Sequence, residues 1–314
     1  MTEVESPTQK LDGKATAKTI RDETKAGVAD LVASHGVTPG LTVIIVGDDP
    51  ASQVYVRNKA KMAEMIGMRS TLDRLPAETD EATLLARVEA LNADPDVHGI
   101  LVQLPLPKQI DADKVLLAID PAKDVDAFHP VNVGRMTAGL PGFLPCTPAG
   151  VIELLKRYEI PMKGKHAVVV GRSNIVGKPM SLLLLRENCT VTICHSRTVD
   201  LASHTRQADI LVAAAGVRAM IGAEHIRPGA VVVDVGIHRV EDEATCIELF
   251  GDDEKRLTAV REKGGTLVGD VHPTQAEGLA GWFTPVPGGV GPLTIAMLMH
   301  NTLQAARRSV GLAE

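Results

Sequence analysis

The chain has 314 residues, enough for two domains and a large buried core. Its formal net charge of −6 argues against a nucleic-acid binder. No apolar run reaches membrane-spanning length, and the first residues, MTEVESPTQK, lack the apolar core of a secretory leader.

Four cysteines, Cys146, Cys189, Cys194 and Cys246, form no Cys-x-x-Cys pair. That fits a reducing cytoplasm and no structural zinc, and no metal site is expected. Aromatic residues are only 2% of the chain, so the core must be built from Val, Leu, Ile and Ala.

Residues 14–35 have helical spacing. Leu41–Gly47 reads as a buried strand, and 51–67 as a helix with Asp49 or Ser52 near its start. Residues 80–93 form another helix. Val97–Leu104 is a second strand, stopped by Pro105 and Pro107. Continuous apolar strands of this kind belong to parallel sheets covered on both faces. The Pro/Gly-rich passage at 140–150 marks a domain junction, after which Thr147 caps a helix with Pro148 at its first position. Strands are then expected near 167–170, 190–194, 209–214 and 230–236. The charged stretch 241–263 reads as a surface loop or short helix. TLVGDV and the loop TPVPGGVGP (284–292) follow, and an amphipathic helix closes the chain at roughly 293–308. The fold class is α/β.

The most informative stretch is AVVVGRSNIVGKPM at 167–180. A β-branched run meets a glycine turn that opens into a helix, where backbone N–H groups and the helix dipole favour an anion. A Walker loop does not fit. Five residues separate Gly171 from Gly177, and Pro179 stands where the magnesium-binding hydroxyl belongs. A dinucleotide turn of variant spacing fits better: Gly171, Ser173 and Val176 hold the three fingerprint positions, and Gly177 comes one residue late. An ordinary βα turn is the bland alternative.

The next strand, Thr190–Cys194, ends in His195-Ser196-Arg197-Thr198. An NAD site wants an acidic residue there for the ribose 2′-hydroxyl. A hydroxyl and a guanidinium stand in its place, and Arg172 lies in the turn itself. This chemistry suits the 2′-phosphate of NADP, although Arg197 could be a solvated surface charge.

In the first half, Tyr55 and Lys59 are four residues apart on one helix face, and Met62 and Ile66 continue the stripe. A lysine there either snorkels to water, the commoner case, or is partly desolvated and so suited to proton transfer. Tyr55 is either core or a stacking surface for a flat ligand. Gln103 ends a parallel strand, where ligands of open α/β sheets collect, and its neutral amide can orient a lysine without locking it as a cation. Asp124 and Asp126 sit in an extended turn. A carboxylate there can accept two N–H bonds from an amino-pyrimidinone edge, or simply build the turn.

The strings YVRNKAKMAEMIGM, GILVQLPLP, KDVDAFHP, PCTPAGVIELL, VVVGRSNIVGKPM, CHSRT, ADILVAAAG, VVVDVGI and TPVPGGVGPLTIAML occur in one order between Tyr55 and Leu298. In this the chain resembles the bifunctional methylenetetrahydrofolate dehydrogenase/methenyltetrahydrofolate cyclohydrolase family. The resemblance implies a folate-binding catalytic domain, 1–146 plus 286–314, and a Rossmann-like NADP domain, 147–285, with a cleft between them. It implies a homodimer formed through the cofactor domain, and no nucleic-acid or membrane partner. The expected activity is oxidation of 5,10-methylenetetrahydrofolate with NADP⁺ and hydrolysis of the product to 10-formyltetrahydrofolate. A dehydrogenase of another small substrate is the alternative.

By matching positions, the resemblance implies Lys59 as the catalytic lysine, Gln103 as its support, Tyr55 stacked on the folate and Asp126 on the pterin. Pro287, Gly288 and Gly289 complete the substrate side. Gly171, Arg172, Ser173, Val176, Gly177, Ser196, Arg197, Gly216 and Ile237 are expected at NADP. Three departures stand out, one of them a 238–264 segment longer than the family's usual connector. Ala127 replaces a usual glycine, so its turn must avoid positive φ or bear the strain. Asp270-Val271-His272 replaces a usual Asp-Val-Asp.

Overall fold

A computed structural model describes residues 7–312. In chain order the elements begin with Gln9–Lys10 (β1), Gly13–His35 (α1), Gly40–Val46 (β2), Pro50–Met65 (α2), Arg69–Leu75 (β3) and Glu81–Ala93 (α3). Gly99–Val102 (β4), Ala112–Ala118 (α4), Pro130–Thr137 (α5), Cys146–Arg157 (α6), His166–Val170 (β5) and Gly177–Arg186 (α7) follow. Then come Thr190–Cys194 (β6), Leu201–Thr205 (α8), Ile210–Ala213 (β7), Val231–Asp234 (β8), His238–Val240 (β9) and Glu243–Phe250 (α9). The last are Glu254–Lys263 (α10), Thr266–Val268 (β10), Pro273–Ala276 (α11), Trp282–Phe283 (β11) and Val290–Ser309 (α12).

Among the described residues the chain divides into two compact units: 17–146 with 294–312, and 7–16 with 147–293. The expected domain boundaries put 1–16 and 286–293 with the first half. By packing the described residues 7–16 and 286–293 group with the second. The reason is β1, which pairs in parallel with β11 through Gln9↔Trp282 and Lys10↔Phe283 and so ties the start of the chain to the second-half sheet.

The first-half unit holds a three-stranded sheet in the order β3-β2-β4, parallel throughout. All seven residues of β2 are buried, as its mostly apolar sequence requires of a central strand. Ile44, Val46, Ile100 and Val102 from the sheet pack with Leu84 and Val88 of α3 and Val115 of α4. The edge strand β3 reads RSTLDRL and has no apolar run to announce it. The chain runs from β2 outward to β3 and returns to β4 on the other side of β2. Such a reversal opens a crevice at the carboxyl ends of the two strands it separates. Gln103 directly follows β4 at that end.

The second-half unit has a six-stranded sheet in the order β1-β11-β8-β7-β5-β6, with every neighbouring pair parallel. Val168, Val170, Leu211, Ala213 and Val232 form its core with Ile221 and Ile226. Here the reversal lies between β5 and β7, so the glycine turn after β5 meets the loop after β7.

Two local expectations need correction. The stretch 241–263 is neither a loop nor one short helix. It is two helices, α9 and α10, capped by Asp242, which accepts from Thr245 N, and by Asp253, which accepts from Lys255 N and Arg256 N. Cys246 and Leu249, then Leu257 and Val260, recur at helical spacing and share a small core with Val240 and Val268 of the antiparallel β9–β10 pair. Helix α6 begins at Cys146, so Thr147 lies within its first turn rather than before it. Among the described residues no helix is long and apolar enough to cross a membrane.

Leu211 is fully buried in the six-stranded sheet, and Leu185 on α7 is 59% exposed. Leu211→Ala is expected to lower stability by about 2–5 kcal/mol and Leu185→Ala by less than about 0.5 kcal/mol. Urea unfolding followed by circular dichroism measures both.

Candidate active site

Helix α2 is started by Asp49, whose carboxylate accepts from Ser52 N at 2.8 Å. One turn of this helix separates Tyr55 from Lys59. Tyr55 is 40% exposed, so its ring is not core, whereas Lys59 is only 8% exposed. The Lys59 ammonium donates to Gln103 Oε1 at 3.0 Å. Gln103 is itself anchored: its backbone N–H donates to Ile44 O at 2.9 Å, and its Nε2 donates to Leu104 O at 2.7 Å. The second bond leaves the carbonyl oxygen of the amide facing the lysine. A buried ammonium is thereby held by a neutral partner.

Asp124 and Asp126 of the 123–129 turn have different work. Asp124 is buried and accepts from Phe128 N at 3.3 Å, His129 N at 2.8 Å and Asn132 Nδ2 at 2.9 Å. It builds the turn. Asp126 takes no part in that network. Burial raises its pKa, the nearby Lys59 ammonium lowers it, and Asp124 raises it further. Lys59, Gln103 and Asp126 are thus brought together. Ala127 is fully buried at φ 61°, so the turn keeps the left-handed conformation that a glycine would adopt freely.

Two residues that sequence reasoning passed over support this turn. Cys146 is buried beside Asp126, and burial followed by that carboxylate pushes its thiol well above the ordinary range. Asn301 of α12 donates to Val125 O at 2.8 Å and Leu144 O at 3.0 Å. A buried asparagine inside the apolar α12 was the available signal.

In the other unit, Gly171 has φ 133°, and a Cβ there would lie 2.0 Å from Ala214 O. A Cβ on Gly177 would lie 2.3 Å from Gly171 O. The turn therefore closes on itself with bare backbone. Ser173 Oγ accepts from Val176 N at 3.1 Å and Gly177 N at 3.2 Å, which satisfies part of the N-terminus of α7. Gly171 N donates to Cys194 O at 2.8 Å and brings the turn beside the end of β6. There Arg197 N donates to His195 Nδ1 at 3.1 Å, and Ser196 and Arg197 are exposed. Among the described residues, the Arg172 and Arg197 side chains have no hydrogen-bonding or ionic partner.

Gly216 stands on the loop after β7 with φ 69°. Asp270 Oδ2 accepts from Ala215 N at 2.6 Å and Gly216 N at 2.8 Å, while His238 Nε2 lies 2.7 Å from Asp270 Oδ1. Asp234 accepts from Asp270 N at 2.8 Å, Val271 N at 3.0 Å and Gly236 N at 3.0 Å. These two buried carboxylates fix the loops around the crevice, and only Asp270 was visible in the sequence, as part of a family departure. Burial pushes Asp234 up to about 7, against the pull of its backbone donors.

Ile237 is exposed at 43%, and its Cδ1 lies 3.6 Å from where a Cβ on Gly291 would stand. It borders the 285–291 loop. In that loop Gly288 O accepts from Lys14 N at 2.9 Å and Val286 O accepts from Arg256 Nη2 at 2.7 Å. A Cβ on Gly13 would lie 1.8 Å from Gly289 O, so Pro287, Gly288 and Gly289 are packed backbone to backbone against the start of α1. Among the described residues no group of three or more His, Cys, Asp or Glu side chains could hold a metal ion.

Comparison with known proteins gives matches along almost the whole chain. Residues 11–126 match the tetrahydrofolate dehydrogenase/cyclohydrolase catalytic domain, and residues 145–310 match the NAD(P)-binding domain of the same family. A bifunctional protein FolD from Koribacter versatilis is 55% identical, covering 95% of this chain and 96% of that one. The crystal structure of the bifunctional FolD methylenetetrahydrofolate dehydrogenase/cyclohydrolase from Campylobacter jejuni is 46% identical, with a TM-score of 0.86 over 96% of this chain and 99% of that one. The Trypanosoma brucei enzyme, solved with NADP cofactor and an inhibitor, is 40% identical, with a TM-score of 0.88 over 98% and 99%.

Gly171→Ala is expected to destabilise by about 3 kcal/mol or more, because its Cβ meets backbone. Gly216→Ala, with nothing within 4 Å of the new Cβ, is expected to lose only about 1–2 kcal/mol from its positive φ. Thermal unfolding separates the two.

A carboxyl raised from 3.8 to about 7 binds its proton more tightly folded than unfolded. Its stabilising contribution is therefore complete below the unfolded pKa and is lost as pH rises toward the folded one. Between about pH 4 and pH 7 it should lower stability by up to about 1.4 kcal/mol per pH unit. Asp234→Asn should flatten that slope in urea unfolding run across this range.

Proposed function

The chain belongs to the tetrahydrofolate dehydrogenase/cyclohydrolase family, and from that premise we propose how its own residues perform the two reactions. It oxidises 5,10-methylenetetrahydrofolate to the 5,10-methenyl form with NADP⁺ and hydrolyses that form to 10-formyltetrahydrofolate. The dehydrogenase of another small substrate is set aside, because the relatives are bifunctional along nearly their whole length.

The second-half crevice fits a dinucleotide. Bare backbone at Gly171 and Gly177 permits the close approach a pyrophosphate needs, and the α7 N-terminus favours its charge. Arg172, Ser196 and Arg197, exposed beside it, would hold the 2′-phosphate. Ser173, Val176, Gly216 and Ile237 complete the cofactor wall. NADP⁺, when bound, supplies the hydride acceptor.

The methylene carbon lies between two nitrogens, so the cation left by hydride loss is delocalised. Orientation, not a strong base, is what this step asks of the protein. Tyr55 would stack on the flat ring system. Asp126 would accept N–H bonds from the amino-pyrimidinone edge, and Pro287, Gly288 and Gly289 would offer backbone to the substrate. In the hydrolysis a water oxygen bonds to the methenyl carbon and one C–N bond breaks; of the two protons that oxygen loses in becoming the formyl carbonyl, one passes to the leaving nitrogen and the other is released to solvent, which discharges the cation. Lys59 carries the proton that reaches the nitrogen, with Gln103 accepting from its ammonium to hold it in place. The observation that carries the reading is the 3.0 Å bond from a buried lysine to a neutral amide.

A homodimer formed through the cofactor domain and a cytoplasmic location belong to the same reading. Four buried free cysteines support a reducing compartment.

Lys59→Ala is expected to abolish methenyl hydrolysis while NADP binding survives, as read by absorbance decay of the methenyl substrate and by calorimetry. Equal loss of NADP affinity would remove Lys59 from the role. Arg197→Ala is expected to weaken NADP about ten- to a hundredfold and NAD little. Equal weakening of both in the same titration would contradict a 2′-phosphate contact.

A further inference from the structure

The three-stranded sheet has a second open end. At the amino-terminal ends of β2, β3 and β4, opposite the end that carries Gln103, lies a cavity of about 810 Å³. Its size falls within the range of small-molecule sites. Arg69 at the start of β3, Lys123, Arg135 of α5 and Arg308 near the end of α12 line it, against the two carboxylates of Asp96 and Asp120.

Those carboxylates do not use up the cationic groups. Asp96 pairs with Arg69 at 3.2 Å. Asp120 Oδ1 accepts from Ala122 N at 2.8 Å. Lys123 gives all three ammonium protons to backbone carbonyls, Leu91 O at 3.0 Å, Asn92 O at 2.8 Å and Asp94 O at 2.6 Å, so its position is fixed, with the charges of Asp120 and Asp94 nearby. Arg308 lies over the Phe143 ring at 4.3 Å, and Arg135 has one long bond, 3.4 Å, to Pro141 O. Four cationic side chains thus line the cavity against two carboxylates.

His98 points to a ligand independently. It is 6% exposed and lines this cavity. Its Nδ1 accepts from Gly40 N at 3.1 Å, which puts the ring proton of the neutral imidazole on Nε2. Burial, then Arg69 and Lys123, hold the imidazole below its ordinary pKa and keep it neutral. Among the described residues Nε2 has no hydrogen-bond partner, nor is it one of the sealed, unsatisfied atoms, so this donor opens into the cavity.

We propose that this cavity, at the opposite end of its sheet from Gln103, is a second ligand site that takes a small polyanion through clustered anionic oxygens. Arg135, Arg69 and Arg308 supply planar, charged donors for such groups, and His98 supplies a fixed neutral one. Phosphate esters and polycarboxylic acids share this chemistry, and the probes distinguish them.

The test is isothermal titration of the full chain with inorganic pyrophosphate and, separately, with citrate. Saturable binding of either is expected, to be weakened about tenfold or more by Arg135→Ala and by His98→Asn. The asparagine keeps an acceptor for Gly40 N and deletes only the outward donor. Binding of pyrophosphate alone makes the class phosphate; binding of citrate alone makes it polycarboxylate. Both variants should retain wild-type methylenetetrahydrofolate oxidation, which shows that they fold. The Arg172→Ala/Arg197→Ala double variant should keep the polyanion site. Absence of binding by both probes, binding unchanged in both cavity variants, or binding lost in the double variant overturns the proposal.

Discussion

A buried ammonium held by a neutral amide is the constraint on which the catalytic half depends. Burying a charge without a partner is expensive, and a carboxylate is the usual partner. Lys59 has Gln103 instead, and Gln103 is fixed on both sides by backbone bonds to Ile44 and Leu104. The arrangement satisfies the lysine's hydrogen bonding without adding a negative charge to it. Asp126, the nearest negative group the turn offers, is kept apart from the structural work by Asp124, which takes the backbone donors of the turn. Asp124 builds the turn, and Asp126 is set beside Lys59 and Cys146.

The cofactor half follows a different logic. Its functional surface is mostly backbone, so its precision comes from groups behind that surface. Gly171 and Gly177 allow the turn to fold against Ala214 and against itself. Asp270 and Asp234 then clamp the opposing loops by accepting from Ala215, Gly216, Gly236 and Val271. Burying two carboxylates this way is tolerable because each is surrounded by aimed N–H donors. Arg172 and Arg197 remain exposed and unpaired at the rim, which suits groups whose partner arrives with the cofactor.

Much of this was legible in the sequence, for identifiable reasons. β2 and β5 are mostly apolar runs, broken only by Thr42 and opened by His166, and their burial in parallel sheets follows from that. The helix carrying Tyr55 and Lys59 and the turn at Gly171 have strong local patterns. What escaped was either polar or non-local. β3 alternates charged residues at a sheet edge, and α9 and α10 hide short apolar spacings inside a charged stretch. The pairing of β1 with β11 and the reach of Asn301 to Val125 join residues far apart in the chain, which no local pattern records. Ala127 was readable as a risk but not as an outcome; only the backbone shows that it keeps positive φ.

The central claim is that Gln103 serves Lys59 because it is neutral. The pH–rate profile of methenyltetrahydrofolate hydrolysis by Gln103→Glu tests it directly. A carboxylate at this position would add a negative charge beside the ammonium, so the account predicts a profile displaced from that of the unaltered protein, while NADP affinity is unchanged. A profile superimposable on that of the unaltered protein would contradict it.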